Sequence, residues 1–243
     1  MGVEFFKDKI HFDELESTNI YCKRVLDNSM IKPPFIVTSD FQKNGKGQFD
    51  SSWISERRKN LLISLVINSD IKPMNSFLLN IISSLSIIDL LNYLSVLNTY
   101  IKWPNDILVK NKKIAGILIE NKVKSNQIIY SIIGIGLNVN QKNFPDFNRK
   151  ATSISNEIDK EINLEEIRDL LTNFFRKRII MNPQDNYLEY TSKIYLKDKE
   201  SIFEINKEKV YGRIKSVNDI GLLEVIHNGI IKNYDLKEIK YLV

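Results

Sequence analysis

Apolar residues recur at helical spacing over Ser17 to Asn28, Pro73 to Leu97, Leu164 to Ile180 and Pro183 to Leu196, which predicts four helices. In the second, Ile81, Leu85, Ile88 and Asn92 fall three or four apart with apolar neighbours beside them, so this helix should lie against a sheet. Ser17 or Thr18 can cap the first. The runs Phe35 to Thr38, Leu61 to Ile67, Ile107 to Val109, Ile114 to Glu120 and Ile128 to Asn138 read as strands, several too uniformly apolar to face water. From about Ser192 the pattern changes to short alternating segments: Ile202 to Ile205, Val210 to Val217, Leu222 to His227 and Ile230 to Tyr234. Asn228-Gly229 is a strong hairpin signal because both residues tolerate positive φ, and Asn218 to Gly221 is a looser turn. The expectation is an α+β fold, a mixed sheet packed with helices over residues 1–191, followed by a small β-barrel over residues 192–243.

The chain has 243 residues, 43% hydrophobic and 27% charged, a globular composition. Its formal charge of +5 is a mild basic excess, well below that of a dedicated nucleic-acid binder. The single cysteine, Cys22, excludes an internal disulfide and any multi-cysteine metal site, which fits a reducing, cytoplasmic setting. With only His11 and His227 present, chemistry based on a histidine relay has little to draw on. The apolar region Phe77 to Leu97 carries Asn80, Ser83, Ser84, Ser86, Asp89 and Asn92, too many polar groups for a lipid-facing span, and no membrane association is expected.

Nine glycines are about half the usual share of roughly 7%, so their positions are informative. Gly45 and Gly47 lie in a polar, basic loop, Asp40 to Gln48, which is either a mobile connector or an anion-binding loop whose unobstructed amides approach phosphate. It is neither a Walker loop nor a dinucleotide fingerprint. Gly134 and Gly136 share one face of a predicted strand, where either a flat ligand or a crossing helix comes close, and Gly116 makes a similar gap. Lys102-Trp103-Pro104-Asn105-Asp106 is the densest polar cluster. It reads as strand, turn and strand, with Lys102 presented from a rigid strand end where it could neutralise a carboxylate or phosphate.

Taken in order, these pieces resemble the biotin protein ligase family, also called biotin–[acetyl-CoA carboxylase] ligase. The resemblance rests on Ser17-Thr18-Asn19, the loop Gln42 to Trp53, Lys102 to Asp106, Lys113 to Glu120 (Lys-x-Ala-Gly-Ile-Leu-x-Glu), Gly134 to Asn140 (Gly-x-Gly-x-Asn-x-Asn) and Ala151-Thr152-Ser153. It is close over residues 15–155 and looser beyond. It implies the class II synthetase-like catalytic fold with an SH3-like C-terminal barrel. It also implies a two-step reaction in which biotin and MgATP give biotinyl-5′-AMP and a lysine of a biotin carboxyl carrier domain then takes the biotin.

Carried over position by position, the resemblance gives Lys102 and Lys46 the catalytic roles, Lys102 holding biotin's carboxylate near the α-phosphate. Ser17, Thr18, Asn19 and Gln42 would hold the biotin ring, with Gly45, Lys46, Gly47, Gln48, Lys102, Gly116, Ile117, Gly134 and Gly136 completing its site. Trp53 would pack on adenine when the loop closes, and Asn138 would bond its edge. Lys46, Gln48, Lys102 and Asn105 would complete the nucleotide site. Mg²⁺ comes with ATP, with no fixed protein site, and Asp106 is expected mainly to hold its turn.

The loop here reads Gly45-Lys46-Gly47-Gln48-Phe49-Asp50-Ser51-Ser52-Trp53, without the arginines of the family's Gly-Arg-Gly-Arg-x-Gly-Arg-x-Trp. Arg57, Arg58 or Lys59 is therefore expected to compensate in holding the adenylate. The first motif starts at Ser17, from which neither a winged helix-turn-helix nor operator binding is expected. A homodimer by sheet extension is compatible with the resemblance, and the basic excess suits an acidic carrier. The competing readings are a lipoate or octanoate ligase or transferase of the same fold, and a noncatalytic RNA-binding module.

Overall fold

Strand alternation decides which face of the sheet each residue covers, and so where a site can form. The structure is a computed structural model that describes residues 5–48, 51–68, 76–125, 127–145 and 150–242. In chain order it contains β1 (Asp8–Phe12), α1 (Thr18–Asp27), β2 (Phe35–Ser39), β3 (Asn60–Asn68), α2 (Ser76–Tyr93), β4 (Thr99–Lys102), β5 (Asp106–Val109), β6 (Lys112–Lys124) and β7 (Gln127–Asn138). There follow α3 (Ile154–Ile158), α4 (Leu164–Ile180), α5 (Pro183–Ser192) and the strands β8 (Glu200–Ile205), β9 (Glu208–Val217), β10 (Leu223–His227), β11 (Ile230–Tyr234) and β12 (Ile239–Tyr241).

The main sheet runs β1-β2-β3-β7-β6-β5-β4, antiparallel except for the parallel pair β1–β2. Leu61, Ile63 and Leu65 of β3, Ala115 and Ile117 of β6, and Ile133, Ile135 and Leu137 of β7 point into the large core with α2, α4 and α5. On the opposite face, Phe35, Val37, Val66 and Ile132 join Cys22 and Val25 of α1 in a smaller core. Gly116, Gly134 and Gly136 fall by the same alternation on the α1 face, beyond the apolar cover of that helix. Burial pushes the Cys22 thiol up to about 12, which keeps it neutral at physiological pH.

α4 has the bounds its pattern predicts, and its Asn163 cap accepts from Glu165 N and Glu166 N. Residues 73–75, the expected start of the second helix, lie outside the described residues. α2 ends at Tyr93 rather than Leu97 because Ser95 turns left-handed (φ 61°) and Val96 N closes back on Leu91 O. α5 stops at Ser192 because the following residues pair with β4: Ile101 N donates to Lys193 O and Tyr195 N to Ile101 O. β1, α3 and β12 are too short to stand out by periodicity.

The C-terminal strands form a five-stranded antiparallel sheet, β11-β10-β9-β8-β12, a small barrel-like unit around Phe203, Ile214, Val217, Leu223 and Val225. Asn228 and Gly229 take the positive φ values expected of their hairpin. Trp103 Nε1 donates to Gly221 O (2.9 Å), tying this unit to the main sheet. Gly221 is required twice over, by its φ of +94° and by Phe77, whose ring lies 2.8 Å from where a Cβ would sit. No helix among the described residues is long and apolar enough to cross a membrane.

Candidate active site

A cavity of about 200 Å³ opens on the α1 face of the main sheet. Its floor is backbone: Gly136 and Gly116 are register partners on β7 and β6, with Asp106 of β5 next in the same row. Its roof is the segment between β2 and β3. That segment folds into a narrow hairpin, with Trp53 N donating to Gly45 O (2.8 Å), Gly47 N to Ser51 O (2.6 Å) and Lys46 bridged to Ser52. The hairpin lays the Trp53 indole flat over the glycines. A Cβ on Gly136 would stand 2.7 Å from Trp53 Cδ2 and Cζ2, and one on Gly116 would stand 3.1 Å from its Cζ3. Phe49 and Asp50 lie outside the described residues.

Gly134 is a gap for a different neighbour. Asn19 of α1 packs on it, with Oδ1 2.5 Å from a notional Cβ, so the crossing helix accounts for Gly134 and an aromatic plane for Gly136. Asn19 Nδ2 donates to Glu120 Oε2 (2.8 Å), and Ser64 Oγ lies 2.6 Å from Asn19 Oδ1 and 2.7 Å from Thr18 Oγ1. Ser17 stands at the N-cap of α1 without capping through its hydroxyl. Gln42 takes over, its Oε1 accepting from Thr18 N (2.7 Å) and Thr18 Oγ1 (3.1 Å), so the roof and the helix meet at one carboxamide. This end of the slot is polar, buried and fixed by hydrogen bonds.

The structure brings together at the slot Ser17, Thr18, Asn19, Gln42, Lys46, Gly47, Gln48, Trp53, Asn105, Gly116, Ile117, Gly134 and Gly136. Three expected residues do not line this cavity. Gly45 lines a hollow on the other side of the hairpin. Asn138 is buried and donates Nδ2 to Thr152 O (3.0 Å), joining β7 to the Ala151-Thr152-Ser153 element. Lys102 pairs with Asp106 at the end of the row of Gly136 and Gly116, and lines a groove of about 720 Å³ toward the C-terminal sheet that shares Asn105 and Asp106 with the slot, with Nζ 5.2 Å from the Tyr241 ring centre.

Besides Lys46, the slot is lined by Lys113, whose Nζ lies 2.6 Å from Asp106 Oδ1 and 5.5 Å from the Trp53 ring. Strict alternation from Gly116 would send Lys113 to the core face. A bulge reverses it: Ile107 pairs with Ala115 but Leu108 with Lys113, so Ile114 is the extra residue and Lys113 returns to the face of Gly116. Ile114 and Ala115 accordingly both enter the core. The backbone of Lys113 is held as well, its N donating to Lys150 O and its O accepting from Thr152 N. Asn105, beside Asp106, is fixed by donating Nδ2 to Ile117 O (2.8 Å) and accepting from Ile117 N at its own carbonyl.

The compensating cations expected after the loop are also elsewhere. Arg57 pairs with Glu14, Arg58 with Asp40 and Lys59 with Glu161 (3.2 Å), and none lines the slot.

The profile of the Biotin/lipoate A/B protein ligase family matches residues 12–138, more than half of the chain and every strand and loop of the slot. The chain belongs to this family. Among relatives of this ligase-family chain is the bifunctional ligase/repressor BirA of Bacillus subtilis, 31% identical over 70% of the chain. The chain spans 53% of that relative's length. The biotin–[acetyl-CoA-carboxylase] ligase of Mycobacterium tuberculosis is 27% identical over 44% of the chain and 40% of its own length. The fold is that of the Aquifex aeolicus biotin protein ligase in complex with biotin and ATP, with a TM-score of 0.80 and 22% identity, covering 97% of this chain and 98% of that one.

The floor gives a direct test of the slot. Gly136→Val places side-chain carbon where the indole lies, so the roof must lift. Any reaction run in the slot is expected to slow at least about tenfold, by analogy with misplacement of reacting groups, while circular dichroism and thermal midpoint stay near wild type. Steady-state kinetics with a melting curve on the same preparation checks both.

Proposed function

We propose that this chain is a biotin protein ligase, activating biotin with MgATP to biotinyl-5′-AMP and passing the biotin to a lysine of a biotin carboxyl carrier domain. The observation that carries this reading is the backbone-floored slot between a polar, buried end at α1 and a lysine at its rim, covered by an aromatic hairpin. A flat bicyclic ring can take the place of the indole over Gly136 and Gly116 when the hairpin lifts, because those glycines set no side chains of their own in its way. The polar end supplies partners for a ureido group, and an analogue lacking that group leaves buried donors and acceptors unpaired at a cost of about 1–3 kcal/mol each.

Joining a carboxylate to an α-phosphate brings two anions together, so the reaction needs positive charge and alignment more than a proton relay. Lys113 is placed for that charge and Lys46 adds to it from the roof. Once the carboxylate and phosphate are present, Lys113 has acceptors in addition to Asp106. Trp53 and the hairpin exclude water from a mixed anhydride that would otherwise hydrolyse. Trp53 Nε1 is buried without a protein partner, a donor left for a ligand in the slot. Mg²⁺ enters as part of the MgATP substrate, and the single cysteine is in keeping with a cytoplasmic setting.

Purified chain incubated with MgATP and biotin should release pyrophosphate and then label a carrier domain. Release with lipoate or octanoate but not with biotin would move the chain to the sister activity of its family. Release with none of the three would overturn the reading.

A further inference from the structure

The roof carries few cations of its own, and the three that follow it face away from the slot, which raises the question of what keeps it shut. Its two limbs are braced at the base by acids. Arg58 N and Nε donate to Asp40 O (3.0 Å) and Oδ2 (2.7 Å), and Arg58 Nη2 lies 3.5 Å from Asp13 Oδ1. His11, Asp13 and Asp40 offer ligand atoms within 4.8 Å of one another, and the two carboxylates hold Arg58.

Glu14 makes the second brace. Its Oε1 receives Lys43 Nζ (2.7 Å) from the entering limb and its Oε2 receives Arg57 Nη2 from the leaving limb. Arg57 Nη1 also donates to Asp13 O (3.0 Å), and its guanidinium stacks 5.0 Å over the Phe41 ring. Glu14 belongs to neither limb. It stands on the segment that runs into α1, which is paired to the roof by Leu15 N to Phe41 O (3.1 Å) and Lys43 N to Leu15 O (2.9 Å). The segment that leads through Ser17 into α1, and so to Thr18 and Asn19 at the slot, therefore also carries the acid that gathers both limbs of its cover.

We propose that Glu14 is a positioning residue that holds the hairpin closed over the slot, so that the bound adenylate is retained by bracing the base of the loop. This rests on the reading of the slot given above. Lys43 and Arg57 keep Glu14 ionised, its carboxyl lying below the ordinary range chiefly through the bond from Lys43. Exposed ion pairs are individually weak, but a loop balanced between open and closed needs only a small bias.

Glu14→Gln is expected to speed release of biotinyl-5′-AMP about three- to tenfold, the effect of two partly exposed pairs. KM for ATP should rise with it, while single-turnover adenylate formation at saturating substrate and the thermal midpoint should not move. Glu14→Asp, too short to span both cations, should fall between. Raising the salt should speed release from wild type more than from Glu14→Gln.

In a second arm without ligand, acrylamide quenching of Trp53 is read as the difference between each chain and its Trp53→Phe counterpart, and it should be stronger in Glu14→Gln. Unchanged release, or a change matched by a fall in thermal midpoint, overturns the proposal. If wild type makes no biotinyl-5′-AMP, the functional reading fails and the quenching arm still decides: equal quenching refutes the brace, and stronger quenching in Glu14→Gln supports it.

Discussion

Lys113→Ala is expected to lower biotin-dependent pyrophosphate release at least about 100-fold, the loss seen when one charge-stabilising donor is removed from a preorganised site. The change should fall on kcat more than on KM, because the charge that needs the lysine is greatest as the two anions join. Lys102→Ala is the companion variant: Lys102 pairs with Asp106 and so ends the row of Gly116 and Gly136, with its Nζ by the Tyr241 ring, and the size of its loss ranks it against Lys113. Lys113→Arg keeps the charge but not the shape, and should recover part of the activity. Steady-state pyrophosphate assays on the three variants check this. Equal losses at both lysines would mean that the groove takes part in the chemistry.

The largest expected effect on stability lies on the other side of the sheet. Arg178, near the end of α4, is buried, and its Nε and Nη2 donate to Asp89 Oδ2 and Oδ1 on α2, each at 2.6 Å. Its Nη1 and Nη2 also reach Glu189 on α5 at 2.6 and 2.9 Å, and Asn186 Nδ2 returns to Arg178 O at 2.9 Å. Burial works to lower the guanidinium's pKa, but the bonds to Asp89 and Glu189 outweigh it, so the group stays charged.

Arg178→Ala leaves two acids facing each other among three helices. It is expected to cost about 3–5 kcal/mol, a fall of about 6–20 °C in thermal midpoint for a domain of this size. Replacing all three groups with apolar ones (D89L, R178M, E189L) should cost far less than the single change. Calorimetry on both variants checks the pair, and equal losses would show that the helices rely on this ion cluster rather than on their packing.

What could be read from the sequence follows physical range. α4, β7 and the Asn228-Gly229 hairpin depend on local spacing and local φ, and all three stand where the pattern puts them. The shared face of Gly134 and Gly136 follows from alternation alone. Which neighbour fills each gap does not: Asn19 and Trp53 reach the sheet from distant parts of the chain.

Lys113 shows the limit most clearly. Counting by twos from Gly116 places it in the core, and only the bulge at Ile114 returns it to the slot, a local break in a rule that otherwise holds. Lys102 stands in the denser polar cluster, which serves two ends at once: Trp103 and Asn105 are bonded to Gly221 and Ile117, while Asn105 and Asp106 line the slot. The cluster of Arg178 with Asp89 and Glu189 was equally out of reach, because three separate helices must dock before its charges meet.

The floor of the slot depends on β7 lying between β3 and β6, and β3 is joined to β7 only after α2 and three further strands have intervened in the chain. No contiguous segment contains the site. α1 and the hairpin can take shape early from nearby residues, but they cover nothing until a large loop of chain has closed, the slow kind of step in folding. Binding competence should therefore arrive with the complete sheet rather than piecemeal. A molecule held under the hairpin and against the sheet grips the slowest contact to form, so occupancy protects the whole sheet from unfolding by mass action and not merely the loop that covers it.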